Sequence, residues 1–419
     1  MRRHPSLVRA TARPGSKCLN MTETRRTISV LLFVLPILCF SLRSAFALEI
    51  RVRLLPEHSG AAVPISVRTD DDVPDSSRYC LRDSSTGRRV PFQYDRSSRT
   101  IEFVVDASET VGPALRTYRL VPGTPVYGDG MRIEDMDGKS LVIREGDKPL
   151  LVYNYRSLLP DGVNEKYRRS CYFHPVYGPY GEVLTDDFPA DHFHHRGLAV
   201  MWTHVTVGEK DYDLWGINGM RARLGKVLGI ENGPIYSLLK VRHGWYTVES
   251  ERVVDETWTV KAYRESGVGR VVDFDILLEA VGEPVSIRSS DRGYGGLNVR
   301  FSPREDTVLY NDKGRLPADC DKEPFLWSDL SATFRGAEAV SGVSIFDNPG
   351  NVRHPQTWSN RYYGVLNPAP AVEPLIITKD QPLHLSYRIW IHAGDIESGR
   401  VRQAYDAYVN PPLVEIRNR

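Results

Sequence analysis

Histidines are the residues whose type and spacing point most directly to chemistry in this sequence. Four of them, His192, His194, His195 and His204, fall within thirteen residues. Imidazole changes charge near neutral pH, so it serves in acid/base catalysis and as a metal ligand. If the segment is extended, residues two apart share a face, and His192 and His194 point the same way. An adjacent carboxylate such as Asp191 can fix the tautomer of an imidazole and raise its basicity.

Two other segments mix polar, aromatic and turn residues in a similar way. The first, Cys171–Pro179, precedes the histidines and contributes His174 and Tyr177. The second, residues 347–364, lacks apolar periodicity, which is typical of a functional loop carried by a rigid sheet. Arginine can bind a carboxylate through two hydrogen bonds, and tryptophan can stack on a pyranose ring. The residues of interest in this loop are Asn351, Arg353, His354, Trp358 and Arg361.

Three interpretations of the histidine segment compete. In the first, the side chains only hydrogen-bond to one another at a strand end. In the second they hold a metal ion, and in the third they form an acid/base or sugar-binding site. The spacing of the histidines does not distinguish the second from the third. We assign catalytic roles to His192, His194, His195 and Arg196, and substrate-binding roles to His174, Tyr177, Asp191, Asn351, Arg353, His354, Trp358 and Arg361. No cofactor is assigned. The alternative is a divalent metal, copper or zinc, on His192 and His194 with His174 or His354.

Short alternating runs broken by turn residues must position these side chains. Leu48–Leu54 alternates cleanly, and Ile101–Val105 is a second strand candidate. Many strands and few helical windows favour a sandwich or barrel, and one amphipathic helix is predicted over residues 398–408. We therefore predict an all-β chain, with a small N-terminal β-sandwich over residues 48–135 and a large antiparallel, supersandwich-like β-sandwich over residues 140–412.

Some motifs carry no functional prediction. Asp291–Gly296 is rich in glycine but lacks the strand–helix context of a phosphate loop, so it predicts a tight turn. His392 ends a long strand, where a hydrogen-bonded structural histidine is expected. Outside the N-terminal segment the cysteines are Cys80, Cys171 and Cys320, which allow one disulfide at most.

The formal net charge of +1 depends on residues 1–47. The basic pair Arg25–Arg26, the apolar run Ile28–Leu42 and the ending Ala45–Ala47 form the pattern of a secretory signal peptide. If translation starts at Met21, the first twenty residues are not made. Because the segment holds eight Lys/Arg and one Asp/Glu, the chain after cleavage has a net charge of −6. We expect a periplasmic or extracellular protein with no stable membrane span after cleavage and no nucleic-acid partner.

The chain resembles the bacterial secreted family of unknown function labelled "methane oxygenase PmoA". The resemblance spans roughly Ser140 to Pro412 and rests on the motifs Tyr172–Pro179, Asp191–Leu198, Asn351–Pro355 and a late Leu-x-Tyr-Arg-x-x-x-His392-x-Gly394. Phe193 stands where family members more often have proline. The label conflicts with the mature sequence, which has no apolar run near 18 residues. The resemblance implies a β-sandwich similar in outline to galactose-mutarotase-like folds, in which paired histidines on a concave sheet face a sugar.

The sequence predicts a carbohydrate-active enzyme, either a lyase, an epimerase or a glycoside-cleaving enzyme, acting on a carbohydrate or another small molecule. A histidine of the 192–195 cluster would be the general acid or base, and Arg196 or Arg353 would hold a carboxylate or developing oxyanion. The alternatives are a histidine-ligated metalloprotein and a glycan-binding protein without catalysis.

Overall fold

Alternating polar and apolar residues fold most of the described chain into β-strands. The computed structural model describes residues 48–70, 72, 73, 75–106 and 114–418. The predicted signal peptide therefore lies outside the described residues. Within them, all strand pairs of the sheets are antiparallel. The all-β prediction is confirmed.

The strands of the first half of the described chain are short or of medium length. They are β1 (Leu48–Leu54), β2 (Ala62–Arg68), β3 (Tyr79–Asp83), β4 (Arg89–Val90), β5 (Gln93–Asp95), β6 (Thr100–Asp106), β7 (Ala114–Pro122), β8 (Met131–Met136), β9 (Ser140–Glu145), β10 (Lys148–Asn154), β11 (Tyr172–Val176), β12 (Leu198–Trp202), β13 (His204–Val207) and β14 (Lys210–Tyr212). Three 3-10 helices lie among them, at Pro56–His58, Ser76–Arg78 and Glu165–Tyr167.

The second half contains the longest strands and the α-helix of the described chain. Its elements are β15 (Met220–Glu231), β16 (Tyr236–Thr247), β17 (Arg252–Tyr263), β18 (Gly269–Ala280), β19 (Val285–Arg288), β20 (Gly295–Arg300), β21 (Arg304–Asn311), β22 (Gly314–Arg315), β23 (Cys320–Pro324), β24 (Trp327–Phe334), β25 (Ser341–Asp347), β26 (Thr357–Asn360), β27 (Val365–Leu366), β28 (Pro368–Ala369), β29 (Leu375–Ile377), β30 (Leu383–Ala393), α1 (Val401–Val409) and β31 (Leu413–Asn418).

Two large sheets form the main sandwich. One has seven strands in the order β27-β20-β12-β11-β10-β9-β8, and the other has nine in the order β15-β16-β17-β18-β30-β25-β24-β21-β22. Their inner side chains share one apolar core. For example, the ring centroid of Phe173 on β11 lies 6.2 Å from that of Trp258 on β17 and 6.0 Å from that of Phe274 on β18. Two smaller sheets, β14-β13-β19-β29 and β23-β26-β28, complete this part of the chain.

The first seven strands, together with β31, form two sheets with a separate core. The orders are β31-β1-β7-β3-β4 and β2-β6-β5. In strand β1, Ile50, Val52 and Leu54 alternate with arginines and are fully buried. Alternate side chains of a strand point to opposite faces, so β1 supplies one apolar face to this core. Strand β8, which the predicted boundary at residue 135 places in the first domain, hydrogen-bonds to the seven-stranded sheet. The two-domain boundaries themselves stay a prediction.

The last strand of the described chain pairs with the first one. Helix α1 buries Val401, Ala404 and Tyr405, as its predicted amphipathic face requires, and β31 then pairs with β1 from Leu413 opposite Arg53 to Asn418 opposite Leu48. The final strand is thus the outer strand of the N-terminal sheet, an arrangement that the sequence pattern did not predict.

We expect Val414→Ala combined with Ile416→Ala to lower the free energy of unfolding by about 2 kcal/mol, since both side chains are half-buried against the N-terminal core. Urea denaturation would measure the change. Leu413→Ala is the matched control, because Leu413 is 64% exposed on the same strand and should contribute little. Equal stabilities of the double variant and this control would contradict the role of β31.

Candidate functional site

Two consecutive turns, rather than an extended strand, bring the three histidines together. The backbone N–H of His192 donates to the carbonyl of Pro189 at 2.9 Å, and that of His195 donates to the carbonyl of His192 at 2.8 Å. As a result the ring centroids of His192, His194 and His195 lie only 4.6–5.6 Å apart. The alternation expected for an extended segment is therefore wrong, and all three imidazoles form one cluster.

Gly197 lets this turn run directly into the sheet. A Cβ at this position would lie 2.2 Å from the carbonyl oxygen of Phe173 on β11, so only glycine permits so close an approach. The chain then continues as β12, which pairs with β11 and β20. The histidines are thus fixed at the start of an interior strand of the seven-stranded sheet.

The three histidines line a pocket of about 500 Å³, which we call the histidine pocket. Its walls come from the histidine turn, from the loops that follow β12 and β14, from the loops that precede β20 and β23, and from the segment after β26. The lining residues are His192, His194, His195, Thr203, Trp215, Arg292, Tyr294, Asp319, Arg361 and Tyr363.

His192 is held by a carboxylate and an aromatic ring. Its Nδ1 lies 2.8 Å from Asp191, and Arg300 donates to both oxygens of the same carboxylate at 2.8 and 2.9 Å. The ring of Tyr363 stacks parallel to that of His192 with centroids 5.5 Å apart, and the Arg300 guanidinium carbon lies 4.8 Å from the Tyr363 centroid. These four residues form a closed unit that fixes the imidazole of His192.

The charge state of Asp191 follows from these contacts. Partial burial alone raises the pKa of Asp191, but the hydrogen bonds from His192 and Arg300 outweigh it and lower the pKa to about 2. Asp191 is therefore a carboxylate at neutral pH and can only accept hydrogen bonds. The Nδ1 of His192 therefore donates its N–H to this carboxylate, which orients Nε2 away from it.

The imidazoles of His194 and His195 are held neutral by their surroundings. Burial, together with the neighbouring His192 and Arg169, lowers the pKa of His194 to about 4. Burial and the neighbouring His194 and Arg300 lower the pKa of His195 to about 2. Because His195 is only 3% exposed and its Nδ1 has no hydrogen-bond partner, a charge there would be poorly stabilised.

This burial predicts an acid-sensitive fold. The pKa of His195 lies far below its ordinary value of 6.5, so the unfolded chain binds more protons once the pH falls below 6.5. Above pH 6.5 the burial of His195 does not reduce the free energy of unfolding. At pH 5 it lowers the free energy of unfolding by about 2 kcal/mol. We expect His195→Gln to flatten the acid side of a stability-against-pH profile measured by urea denaturation. His384→Gln, on an imidazole that is 62% exposed, should leave the profile unchanged.

Arg196, predicted to be catalytic, is fully buried behind the pocket. Its guanidinium donates to the backbone carbonyls of Phe193, His195 and Tyr167. Its Nε lies 3.4 Å from the carboxylate of Asp187. The side chain does not line the histidine pocket, and its contacts are those of a residue that holds the histidine turn in place.

The predicted loop residues divide between the pocket and the protein interior. Arg361 lines the pocket, and its Nε donates to the hydroxyl of Tyr294 at 2.6 Å. Trp358 is fully buried, and its indole N–H donates to the carbonyl of Phe325, so it is a core residue. Arg353 donates to the backbone carbonyls of residues 370, 373 and 374 and ties two loops together.

The remaining predicted residues lie outside the histidine pocket. His354 and Asn351 both contact the buried carboxylate of Asp347, at 2.7 and 2.8 Å, and form a separate cluster. His174 contacts the hydroxyl of Thr185 at 3.1 Å, and burial lowers its pKa to about 4. Tyr177 lines a different pocket of about 370 Å³.

Several pocket residues escaped the sequence prediction. Arg292 and Tyr294 come from the glycine-rich segment that was predicted to be a tight turn, and the turn is present, with the N–H of Gly293 donating to the carbonyl of Ser290 at 2.8 Å. The aromatic and basic residues within that turn were the available signal. Asp319 had no signal because it stands in an ordinary polar context, and neither did Arg300, which lies behind the pocket at the end of strand β20.

Metal binding was the alternative prediction for these histidines. Within the part of the chain that the structure describes, no group of three or more His, Cys, Asp or Glu side chains is placed to hold a metal ion. The described cysteines Cys80, Cys171 and Cys320 are free and buried. The described residues likewise contain no helix with the length and apolar character needed to cross a membrane.

The fold and the site together define a class: an antiparallel β-sandwich protein with a pocket lined by three histidines, two of which are held neutral. The chain belongs to the family described as "Family of unknown function (DUF6807)", whose sequence model matches residues 140–406. This match contains every residue of the histidine pocket. No curated protein matches the chain. The methane oxygenase PmoA label and the galactose-mutarotase-like analogy are not confirmed by these comparisons.

Proposed function

We propose that this protein is a carbohydrate-active enzyme that transfers a proton, of the epimerase or isomerase type. The observation that carries the proposal is the Asp191–His192 pair, in which Nδ1 lies 2.8 Å from a carboxylate and the ring lines an open pocket. A histidine oriented in this way by a carboxylate is a typical general base. Its side chain is 40% exposed, so a substrate can reach it.

The proposed step begins with proton transfer to His192. Its Nε2 takes a proton from the substrate carbon beside a carbonyl, and the resulting imidazolium is stabilised by the carboxylate of Asp191. The electron pair of the broken C–H bond moves onto the substrate oxygen as an enolate. Neutral imidazole N–H groups of His194 or His195 and the hydroxyl of Tyr294 are donors in the same pocket for that oxygen. Water then protonates the enolate carbon on the other face, and the imidazolium of His192 releases its proton to solvent, which gives the epimer and restores the base.

The composition of the pocket favours this reaction over glycoside hydrolysis. Most glycosidases use two carboxyl groups on either side of the scissile bond. Among the described residues that line the histidine pocket, Asp319 alone has a carboxyl group. It accepts the backbone N–H of Tyr362 at 2.8 Å, an arrangement that fixes its position near the rim.

The proposal is tested by incubating the purified protein with a panel of reducing aldoses and ketoses and following new sugar signals by proton NMR. We expect at least one sugar to be converted to its epimer or isomer, and the conversion to be lost in His192→Gln. If wild-type protein converts none of them, the assignment of an epimerase or isomerase is wrong. Binding of sugars without conversion would instead support a glycan-binding protein.

We also propose that the enzyme acts outside the cytoplasm. The support is the secretory pattern over residues 1–47, which lies outside the described residues. The pattern predicts cleavage after Ala47, directly before β1. N-terminal sequencing of the protein recovered from a secreting host should begin at Leu48. A mature protein that retains residues 21–47 would contradict the proposal.

A further inference from the structure

Whether the substrate carries a charge depends on which arginines are free to bind it. The sequence prediction gave Arg196 or Arg353 the task of holding a carboxylate. In the structure both guanidinium groups donate to backbone carbonyl oxygens and neither lines the histidine pocket. An arginine whose N–H groups are already used cannot form the two-pronged contact that a carboxylate prefers without giving up bonds it already has.

Arg361, which lines the pocket, already donates hydrogen bonds to other groups of the protein. Arg361 donates to the hydroxyl of Tyr294, to the carbonyls of Cys320 and Asn360, and to the carboxylate of Asp321.

Two further arginines lie behind the pocket. Arg300 pairs with Asp191 through Nη2, and its Nε and Nη1, which have no hydrogen-bond partner among the described residues, are buried and do not line the pocket. Arg169 is buried and donates to the backbone carbonyls of Leu214 and Trp215. Each of these cations is therefore matched by a carboxylate or enclosed by carbonyl oxygens.

Arg292 is the pocket cation with the fewest contacts, and it lies at the rim. Its side chain is 68% exposed, and its Nε is 3.6 Å from Asp321. Asp319 lines the same pocket, so a substrate carboxylate that approached Arg292 would also meet a negative charge. Water screens such an exposed cation and reduces what it could contribute to binding an anion.

The groups that do face the pocket suit hydroxyl groups instead. Three imidazoles, two of them held neutral by their surroundings, offer both N–H donors and nitrogen acceptors. The hydroxyls of Tyr294 and Tyr363 lie 3.5 Å apart, and each can donate or accept. The Tyr363 ring is already engaged, because it stacks on His192 and contacts the Arg300 guanidinium, and its hydroxyl is the group that it offers to a ligand.

We propose that the substrate is an uncharged sugar, and that the histidine pocket discriminates against sugars that carry a carboxylate. The inference rests on the proposed function and narrows it. An elimination lyase acting on a uronate needs cations that neutralise the substrate carboxylate, so a lyase is disfavoured. A pocket of about 500 Å³ falls in the range of small-molecule sites and suits a mono- or disaccharide.

The test compares binding of glucose and galactose with that of glucuronate and galacturonate to the wild-type protein by isothermal titration calorimetry. We expect a neutral sugar to bind at least about tenfold more tightly than its uronate. Asp319→Asn removes one negative charge while keeping an oxygen for the backbone N–H of Tyr362, and should narrow the ratio severalfold. Asp211→Asn, on a carboxylate outside the pocket, is the matched control and should leave the ratio unchanged.

Tighter binding of the uronates would overturn the inference. If those uronates were also converted, and His192→Gln stopped their conversion, the proposed function would survive without it. Failure of all four sugars to bind, together with no conversion across the larger panel, would overturn both. Equal effects of the two aspartate variants would show that Asp319 takes no part in the discrimination against carboxylates.

Discussion

His192→Gln is expected to lower turnover of the sugar substrate by about 10²- to 10⁴-fold, the usual contribution of a positioned general base. Glutamine keeps a polar side chain of similar reach but has no nitrogen that can take up a proton at neutral pH. The side chain is 40% exposed, so the variant should fold normally. Initial rates at saturating sugar would give the change, and circular dichroism would check the fold.

His204→Gln provides an unusually close control for this prediction. The Nδ1 of His204 lies 2.9 Å from Asp211, so it forms a second Asp–His pair of nearly the same geometry and exposure. That pair does not line the histidine pocket. We expect His204→Gln to keep the wild-type rate. If both variants lose activity equally, or if neither does, His192 is not the base.

Asp191→Asn separates orientation of the imidazole from its basicity. An amide at position 191 can still hydrogen-bond to Nδ1, but it has no negative charge to stabilise the imidazolium. Because an amide can both donate and accept a hydrogen bond, it no longer fixes the tautomer of His192. We expect a loss of about 10- to 100-fold in rate, smaller than for His192→Gln. A loss confined to substrate affinity would assign Asp191 to binding instead.

Arg196→Ala is expected to lower the free energy of unfolding by about 3–5 kcal/mol, because it leaves the buried carboxylate of Asp187 without its cation. Burial already raises the pKa of Asp187 to about 6, against the opposing effect of Arg196. Three backbone carbonyls that hold the histidine turn would also lose their donors. Thermal and urea denaturation would measure the loss.

Arg196→Lys keeps this prediction testable if the alanine variant does not fold. Lysine retains a positive charge near Asp187. Its compact ammonium group, however, cannot form the three hydrogen bonds to backbone carbonyls that the planar guanidinium group forms. We expect intermediate stability with much of the activity retained. A lysine variant as stable as wild type but inactive would contradict the structural role and return Arg196 to the catalytic residues.

Local patterns predicted the secondary structure well where one face is buried. The alternation of Leu48–Leu54 matches β1 residue for residue, and Ile101–Val105 lies within β6. The helix predicted over residues 398–408 differs from α1 mainly at its start. These elements were predictable because their periodicity reflects burial of one side, which is a property of neighbouring residues.

The site was harder to predict because its contacts are not local. Arg300 is 109 residues from Asp191 in the sequence, and their pairing depends on β12 and β20 being neighbours in the sheet. Clustering of histidines identified the centre of the pocket. Composition could not reveal that Arg196 points into the protein, because a tight turn rather than an extended strand sets the side-chain directions.

The loop over residues 347–364 illustrates the same limit. Its residues are of the right types, but Trp358 faces the core and His354 faces Asp347, while Arg361 and Tyr363 reach the pocket. Within an irregular loop no period relates neighbouring side chains to one face, so residue type alone could not separate them.

The most direct test of the central claim is solvent exchange at the reacting carbon. The sugar that the wild-type protein converts would be incubated in D₂O with wild-type protein, with His192→Gln and with His204→Gln, and deuterium at carbon would be followed by NMR. A proton carried by His192 exchanges with solvent, so wild type and His204→Gln should introduce deuterium and His192→Gln should not. Deuterium incorporation by His192→Gln at the wild-type rate would contradict the assignment of His192 as the base.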